Sequence, residues 1–155
     1  MNASTARALF VGLLVAVWVW LSGQARLRVE VWPGIVALGC YFAAGGGISG
    51  LQKTVIGTLS GVAWVLVADA VRVAVGGTSI VTALIDGAMV VGILLVARVP
   101  FLGFVAGALV GAGVAWGKGV NTVQEGIQVG IAFVVGAVLG FVAERLAGAV
   151  AARKA

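Results

Sequence analysis

Segment 80–97 of the chain reads IVTALIDGAMVVGILLVA, with Asp86 as its single charged residue. Its second half, MVVGILLV at 89–96, is apolar on every side, whereas the strands of a transmembrane barrel alternate polar and apolar residues. A helix of this length approaches the roughly 20 residues that cross the hydrocarbon core of a bilayer. The segment therefore predicts a transmembrane helix.

The composition of the whole chain is that of a membrane protein. Of its 155 residues, 62% are hydrophobic and 10% are charged, and the mean hydropathy is +1.20. Soluble domains are roughly 45–50% apolar and about 25% charged. This difference excludes an ordinary soluble enzyme, a disordered chain and a nucleic-acid-binding domain.

The residue inventory excludes several kinds of site. The chain has no histidine and one cysteine, Cys40, which excludes a Cys/His zinc site, a Ser-His-Asp triad and an intramolecular disulfide. It has no phosphate-binding loop for ATP-driven transport. We therefore expect a protein that is not an enzyme, with no catalytic residues, no metal and no cofactor.

Six apolar stretches divide the chain, joined by connections of about ten residues or fewer. They predict an all-α integral membrane protein of about six transmembrane helices, with residues 1–155 forming a single transmembrane domain. The second stretch is short for a span and ends in Gly45, Gly46 and Gly47, a run that readily breaks a helix and forms either a loop at the membrane edge or part of a constriction. The six stretches are Ala8–Leu21, Val31–Ala44, Thr54–Ala70, Ile80–Ala97, Phe101–Gly117 and Gly126–Ala143.

The first stretch and the loop charges bear on orientation. Trp18 and Trp20 fit an interfacial anchor, so we expect an uncleaved span rather than a secretory signal. With six spans, one side of the membrane carries six basic residues and the other carries four, which favours cytoplasmic termini. The six are Arg7, Lys53, Arg98, Arg145, Arg153 and Lys154, and the four are Arg26, Arg28, Arg72 and Lys118.

The second and fifth stretches resemble each other. Each opens near one of the chain's two prolines and is the middle stretch of a three-stretch half. Because three is odd, a tandem copy would insert upside down and give a 3+3 inverted repeat, an arrangement typical of transporters. Similarity by glycine-rich composition is the alternative. The matches at an offset of 74 residues are Gly39 with Gly113, Phe42 with Trp116, Ala43 with Gly117 and Gly45 with Gly119.

Glycine makes up 25 of the 155 residues, and much of it falls at helical spacing. Small residues four apart let membrane helices approach closely. We expect these faces to pack within the bundle or between copies of a homo-oligomer, with the lining of a narrow path as the alternative. The glycines concerned are Gly57 with Gly61, the stripe Gly103, Gly107 and Gly111, Gly126 with Gly130, and Gly136 with Gly140.

Charged groups inside spans are costly and need a partner or water. Asp69 can pair with Arg72 at a spacing of three. Asp86 has no basic residue within four positions, so it faces a polar path, meets a partner on another helix, or is protonated. The residues predicted to line a pore or solute path are Asp86, Gln128, Cys40, Tyr41, Gly45, Gly46, Gly47 and Trp116.

The first half of the chain contains several short motifs, namely WVW at 18–20, WPG at 32–34, GCYFA at 39–43 with GGG at 45–47, and SGVAW at 60–64. Together they resemble the YcdZ-like family of small bacterial inner-membrane proteins of unknown function. The resemblance implies a multi-span helical fold in the bacterial inner membrane. It carries over no catalytic or binding residue.

These features favour a membrane channel or facilitator for a small solute, uncharged or weakly charged. The alternative is a non-transporting accessory or interaction subunit of a membrane complex. The expected partners are the lipid bilayer and further copies of the chain, with no nucleic acid.

Overall fold

Six α-helices make up most of the chain in a computed structural model that describes residues 3–24, 30–76 and 78–152. No strand occurs within these ranges, so the all-α prediction is confirmed for them. A single 3₁₀ turn, Pro100–Leu102, precedes the fifth helix. The helices are α1 Ala3–Gln24, α2 Val31–Ala43, α3 Gly47–Val75, α4 Ser79–Val96, α5 Val105–Gly117 and α6 Val123–Ala152.

Four of these helices, α1, α3, α4 and α6, are long and apolar enough to cross a membrane. The other two, α2 and α5, have 13 residues each, about 20 Å at 1.5 Å per residue. The expectation that Phe101–Gly117 is one helix was wrong, because α5 begins only at Val105. Pro100 fixes its own φ and lacks an N–H, which favours the short 3₁₀ turn there.

The two short helices lie along the two longest ones, and their contacts give the chain directions. Along α6, Gly34 of α2 meets Gly136, and Tyr41 reaches Glu144 further on, so these helices are parallel. Along α3, residues 104–107 meet Gly57 and residues 108–112 meet Gly61, so α5 runs parallel to α3.

The remaining helix pairs are antiparallel. Arg7 near the start of α1 pairs with Glu144 near the end of α6. Helix α4 is antiparallel to α3. Asp86, early in α4, contacts Arg72 near the end of α3, and Gly92, later in α4, meets Trp64, which lies earlier in α3. The long helices α3 and α6 are also antiparallel, since Gly126 meets Leu66 and Gly130, one turn later in α6, meets Leu59, earlier in α3. Consequently, the start of α1 and the later part of α6 lie at the same end of the bundle, here called the terminal end.

Close approach of the helices depends on missing side chains. A Cβ atom at Gly61 would lie 2.0 Å from the carbonyl oxygen of Ala108, and one at Gly136 would lie 1.9 Å from that of Gly34. These glycines therefore pack within the bundle, which was one of the two arrangements expected from their spacing, rather than lining a narrow path. Gly103 departs from its predicted helical stripe, because it lies between the 3₁₀ turn and α5 with only loose neighbours.

Trp18 differs from its expected role as an interfacial anchor. Its ring is buried and lies where a side chain on Gly34 would be, whereas Trp20 is 63% exposed. The physical reason is that the absent side chain of Gly34 leaves room for a ring between α1, α2 and Ala132 of α6. Of these two tryptophans, only Trp20 is therefore free to lie at a membrane surface.

Candidate functional site

A carboxylate at the terminal end joins four helices. Glu144 Oε2 accepts a hydrogen bond from the Tyr41 hydroxyl and another, of 2.8 Å, from the backbone N–H of Gly47. The same N–H lies 2.8 Å from the Tyr41 oxygen, and Arg7 Nη2 lies 3.9 Å from Glu144 Oε1. This terminal cluster thus connects α1, α2, the start of α3 and α6.

The turn between α2 and α3 is shaped to fit this carboxylate. Gly45, Gly46 and Gly47 have φ values of +94°, +69° and +63°, a region that favours glycine. A Cβ atom on Gly46 would lie 2.8 and 2.9 Å from the two carboxylate oxygens of Glu144. The helix break predicted from the glycine run is present, and its backbone is in contact with a charged group.

A second charged cluster lies at the opposite end, between α3 and α4. Arg72 Nη1 is 3.2 Å from Asp69 Oδ1, which is the pair predicted from their spacing. Arg72 Nη2 also contacts Asp86 Oδ1, so Asp86 meets a partner on another helix. The three side chains are 18–24% exposed. In this charged triad, one guanidinium lies between two carboxyl groups.

Asp86 also lines a cleft of about 340 Å³ between α4 and α5. Its opposite wall carries Trp116, which is 58% exposed. Gly87 and Gly113 have open space where a side chain would be, so they add width rather than contacts. The lining residues are Asp86, Gly87, Met89, Val90, Leu109, Ala112, Gly113 and Trp116.

A comparable cleft of about 380 Å³ lies between α1 and α2. Its charged residue is Arg7, and its aromatic residue is Phe42, which precedes Trp116 by 74 residues. The two clefts thus share one aromatic position at this offset, and their charged residues have opposite sign.

The eight residues predicted to line one path do not all lie together. Asp86 and Trp116 share the α4–α5 cleft, while Tyr41, Gly46 and Gly47 share the terminal cluster with Gly45 beside them. Cys40 is buried in α2, and Gln128 is half-buried on α6 with no hydrogen bond to either cluster among the described residues. The sequence analysis did not identify Glu144. A charged residue inside the long apolar run of α6 could have indicated it.

A third polar contact joins the connection before α2 to the end of α5. Lys118 Nζ lies 2.6 Å from Glu30 Oε1, and Trp32 Nε1 donates a hydrogen bond of 2.6 Å to Glu30 Oε2. The hydrogen bond from Lys118 holds the pKa of the Glu30 carboxyl below its usual value of 4.5. In the described ranges, no group of three or more Asp, Glu, Cys or His side chains could hold a metal.

The fold and these clusters define a class: an all-helical protein with several helices long and apolar enough to lie in a membrane. Residues 8–148 match the family described as "Protein of unknown function (DUF1097)", and the chain belongs to that family. The narrower resemblance to YcdZ-like bacterial proteins stays a prediction. No curated protein and no solved structure matches the chain.

Proposed function

We propose that the chain is a membrane channel or facilitator for a small solute, built from two inverted halves, α1–α3 and α4–α6. The observation that carries this proposal is the pair of short helices. Each one is the middle helix of its half and lies along the long last helix of the other half. Short or interrupted segments in corresponding positions of two inverted halves are the best sequence pointer to a transport site.

Corresponding positions make corresponding contacts, which supports a true duplication. The first and last residues of α5 follow those of α2 by 74 positions at both ends. Gly136 packs on the carbonyl of Gly34, and Gly61 packs on that of Ala108, again 74 positions after Gly34. Gly61 and Gly136 are themselves 75 positions apart, so the correspondence holds to within one residue, and similar composition alone gives no reason for it.

The helix directions support inversion. Because α1 opposes α6 and α4 opposes α3, each helix of the second half runs opposite to its counterpart in the first. Inverted repeats commonly enclose a site between their halves. The proposal includes a bacterial inner-membrane location, a lipid bilayer around the bundle and assembly into a homo-oligomer.

The α4–α5 cleft is the proposed entry for solute, and it allows a direct test. Purified chain in liposomes is challenged with urea, glycerol and methylammonium, and solute entry is followed by stopped-flow light scattering. Gly113→Leu places a side chain in the cleft, whereas Gly148→Leu adds the same group on an open face of α6. We expect flux to fall several-fold in the first variant only.

One further observation favours the accessory-subunit alternative. An apolar groove of about 450 Å³ runs between α3 and α6, lined by side chains such as Leu59, Leu66 and Ile131. If liposomes with wild-type chain pass no solute faster than empty liposomes, the facilitator proposal fails and docking of another membrane protein becomes the better explanation.

A further inference from the structure

The cleft between α1 and α2 contains a cation whose pairing within the bundle is weak. Arg7 lines this cleft of about 380 Å³, and its side chain is 48% exposed. Its nitrogen lies 3.9 Å from Glu144, beyond hydrogen-bond distance. That carboxylate already accepts hydrogen bonds from the Tyr41 hydroxyl and the N–H of Gly47. Because a guanidinium has five N–H donors, Arg7 can still bind an anion in the cleft.

The wall of the cleft changes from polar to apolar along α1. Its lining residues on this helix are Ser4, Arg7, Ala8 and Val11, whose spacing places them on one face. The polar pair comes first, nearer the terminal end, and the apolar pair follows, with Phe42 of α2 as a further lining residue. Helix α1 is long and apolar enough to span a membrane, and little of it is buried in the bundle. In a bilayer, the cleft therefore opens toward lipid.

A phospholipid presents its groups in the same order, with a phosphate at the membrane surface and acyl chains below it. Arginine pairs with phosphate through two parallel hydrogen bonds, and the positive end of a helix dipole, here at the start of α1, also favours an anion. Among the described residues, the terminal end carries four basic side chains and one acidic one. This excess favours a lipid with net negative charge, and basic pockets between membrane helices bind such head groups.

We propose that the α1–α2 cleft binds an anionic phospholipid, with Arg7 on the phosphate and an acyl chain along Ala8, Val11 and Phe42. An inorganic phosphate ion would satisfy Arg7 but would leave the apolar part of the cleft uncovered, so the order of the lining residues favours the lipid. The inference requires α1 to lie in the membrane and does not depend on the passage of a solute.

The test uses the full chain in dodecyl maltoside micelles, where no charged membrane surface surrounds it. Dioleoylphosphatidylglycerol or dioleoylphosphatidylcholine is titrated in, and bound lipid is counted by native mass spectrometry. We expect wild type to prefer the anionic lipid and Arg7→Gln to bind it about tenfold more weakly. Arg98→Gln removes the same charge from an exposed position at the same end and should bind within about twofold of wild type.

The apolar part of the cleft has its own matched pair of variants. Ala8→Leu places a larger side chain in the cleft and leaves Arg7 in place, and we expect it to weaken binding of the anionic lipid several-fold. Ala16→Leu makes the same change at an exposed position about two turns further along α1 and should bind like wild type. Helical circular dichroism and size-exclusion profiles show whether each variant is folded, and the Ala8 pair decides if Arg7→Gln is not.

The outcomes separate this inference from the proposed function. Equal weakening by Arg7→Gln and Arg98→Gln would show diffuse attraction to a basic end instead of a binding cleft. Equal affinity for the two lipids, or displacement of lipid by inorganic phosphate but not by chloride at the same ionic strength, would also overturn the inference. Each of these results leaves the facilitator proposal standing. Weakening in Arg7→Gln and Ala8→Leu but not in their controls supports the inference, whether or not the chain passes solute through liposomes.

Discussion

At the scale of single residues, glycine determines how closely the helices of this bundle approach. The atoms that a Cβ would meet at Gly61 and Gly136 belong to the backbone, which cannot rotate away as a side chain can. Membrane helices lack a hydrophobic force between them and depend on such close packing. A single added methyl group at these positions therefore forces two helices apart.

We predict that Gly61→Ala and Gly136→Ala lower the thermal stability of the detergent-solubilised chain. Overpacking a core costs about 1–3 kcal/mol, and contacts near 2 Å with backbone place these variants at the upper end. Gly12→Ala, which meets nothing within 4 Å, is the control and should melt like wild type. Equal melting temperatures for Gly61→Ala and Gly12→Ala would mean that α3 and α5 are not in close contact.

A second pair of glycines lies in the turn between α2 and α3. Both Gly45 and Gly46 have positive φ, and Gly46, with a ψ of −168°, lies in a region that is essentially confined to glycine and costs other residues about 1–3 kcal/mol. Only at Gly46 would a Cβ also press on the Glu144 carboxylate. We predict that Gly46→Ala destabilises the chain more than Gly45→Ala, as measured by thermal melting. Similar losses in both variants would show that Glu144 does not hold the turn.

The sequence predicts one part of the terminal cluster, the glycine turn after Tyr41, but not the other part, Glu144. A run of three glycines after Tyr41 indicates a helix break, because local backbone freedom is a property of those residues alone. Glu144 lies 103 positions away from Tyr41, and their hydrogen bond exists only because α2 packs along α6. No local pattern predicts that contact. The same holds for Arg72 and Asp86, which belong to different helices.

At the scale of helices, apolar run length predicted which elements exist, and tertiary packing decided their lengths. The third stretch was predicted from Thr54, but α3 begins at Gly47, where the N–H bonds Glu144 and Tyr41. The fifth was predicted from Phe101, yet apolar residues 101–104 fall outside α5, because hydropathy does not distinguish a 3₁₀ turn from an α-helix.

The contact between Glu30 and Lys118 ties the connection before α2 to the end of α5, and its stability depends on pH. The pKa of Glu30 is lowered in the folded chain, first by the hydrogen bond from Lys118. A lowered carboxyl pKa means that the stabilisation is present above the usual value of 4.5 and is lost as pH falls through the lowered value.

We therefore predict that the wild-type melting temperature drops more below pH 4.5 than that of Glu30→Gln, whose side chain does not titrate in this range. Because Glu30 is 46% exposed, solvent screening keeps the difference small. Lys118→Gln should remove most of the same pH dependence. An unchanged acid slope in both variants would show that the contact does not contribute to stability in solution.

At the scale of the whole molecule, the charges are divided between the two ends of the bundle. Among the described residues, the terminal end carries four basic side chains and one acidic one, whereas the opposite end carries two basic and four acidic ones. The terminal end has Arg7, Lys53, Arg98, Arg145 and Glu144, and the opposite end has Arg72, Lys118, Glu30, Asp69, Asp86 and Glu125. Among the described residues the basic side chains differ by two between the ends, as in the loop count, and the acidic side chains, which loop counting ignores, add to the division.

This division predicts that the terminal end, with both termini, faces the cytoplasm, since basic residues are retained on that side. In a Cys40→Ala background, Ser49→Cys reports on the terminal end and Thr78→Cys on the opposite end, and both positions are exposed. A membrane-impermeant maleimide added to intact cells should label only Thr78→Cys. Labelling of Ser49→Cys alone would reverse the orientation.

The same experiment tests the number of crossings, because α2 is too short for a full span by itself. If both α1 and α2 cross, an N-terminal tag lies on the same side as Ser49→Cys and is protected with it. If α2 does not cross, the tag and Ser49→Cys lie on opposite sides. If α1 spans, as its length and composition allow, a protected tag and a protected Ser49→Cys, together with a labelled Thr78→Cys, require α2 and α3 to cross as well. A reporter fused after Ala155 applies the same logic to α4, α5 and α6. Cytoplasmic signals at both ends, with Thr78→Cys outside, are what two inverted three-helix halves demand.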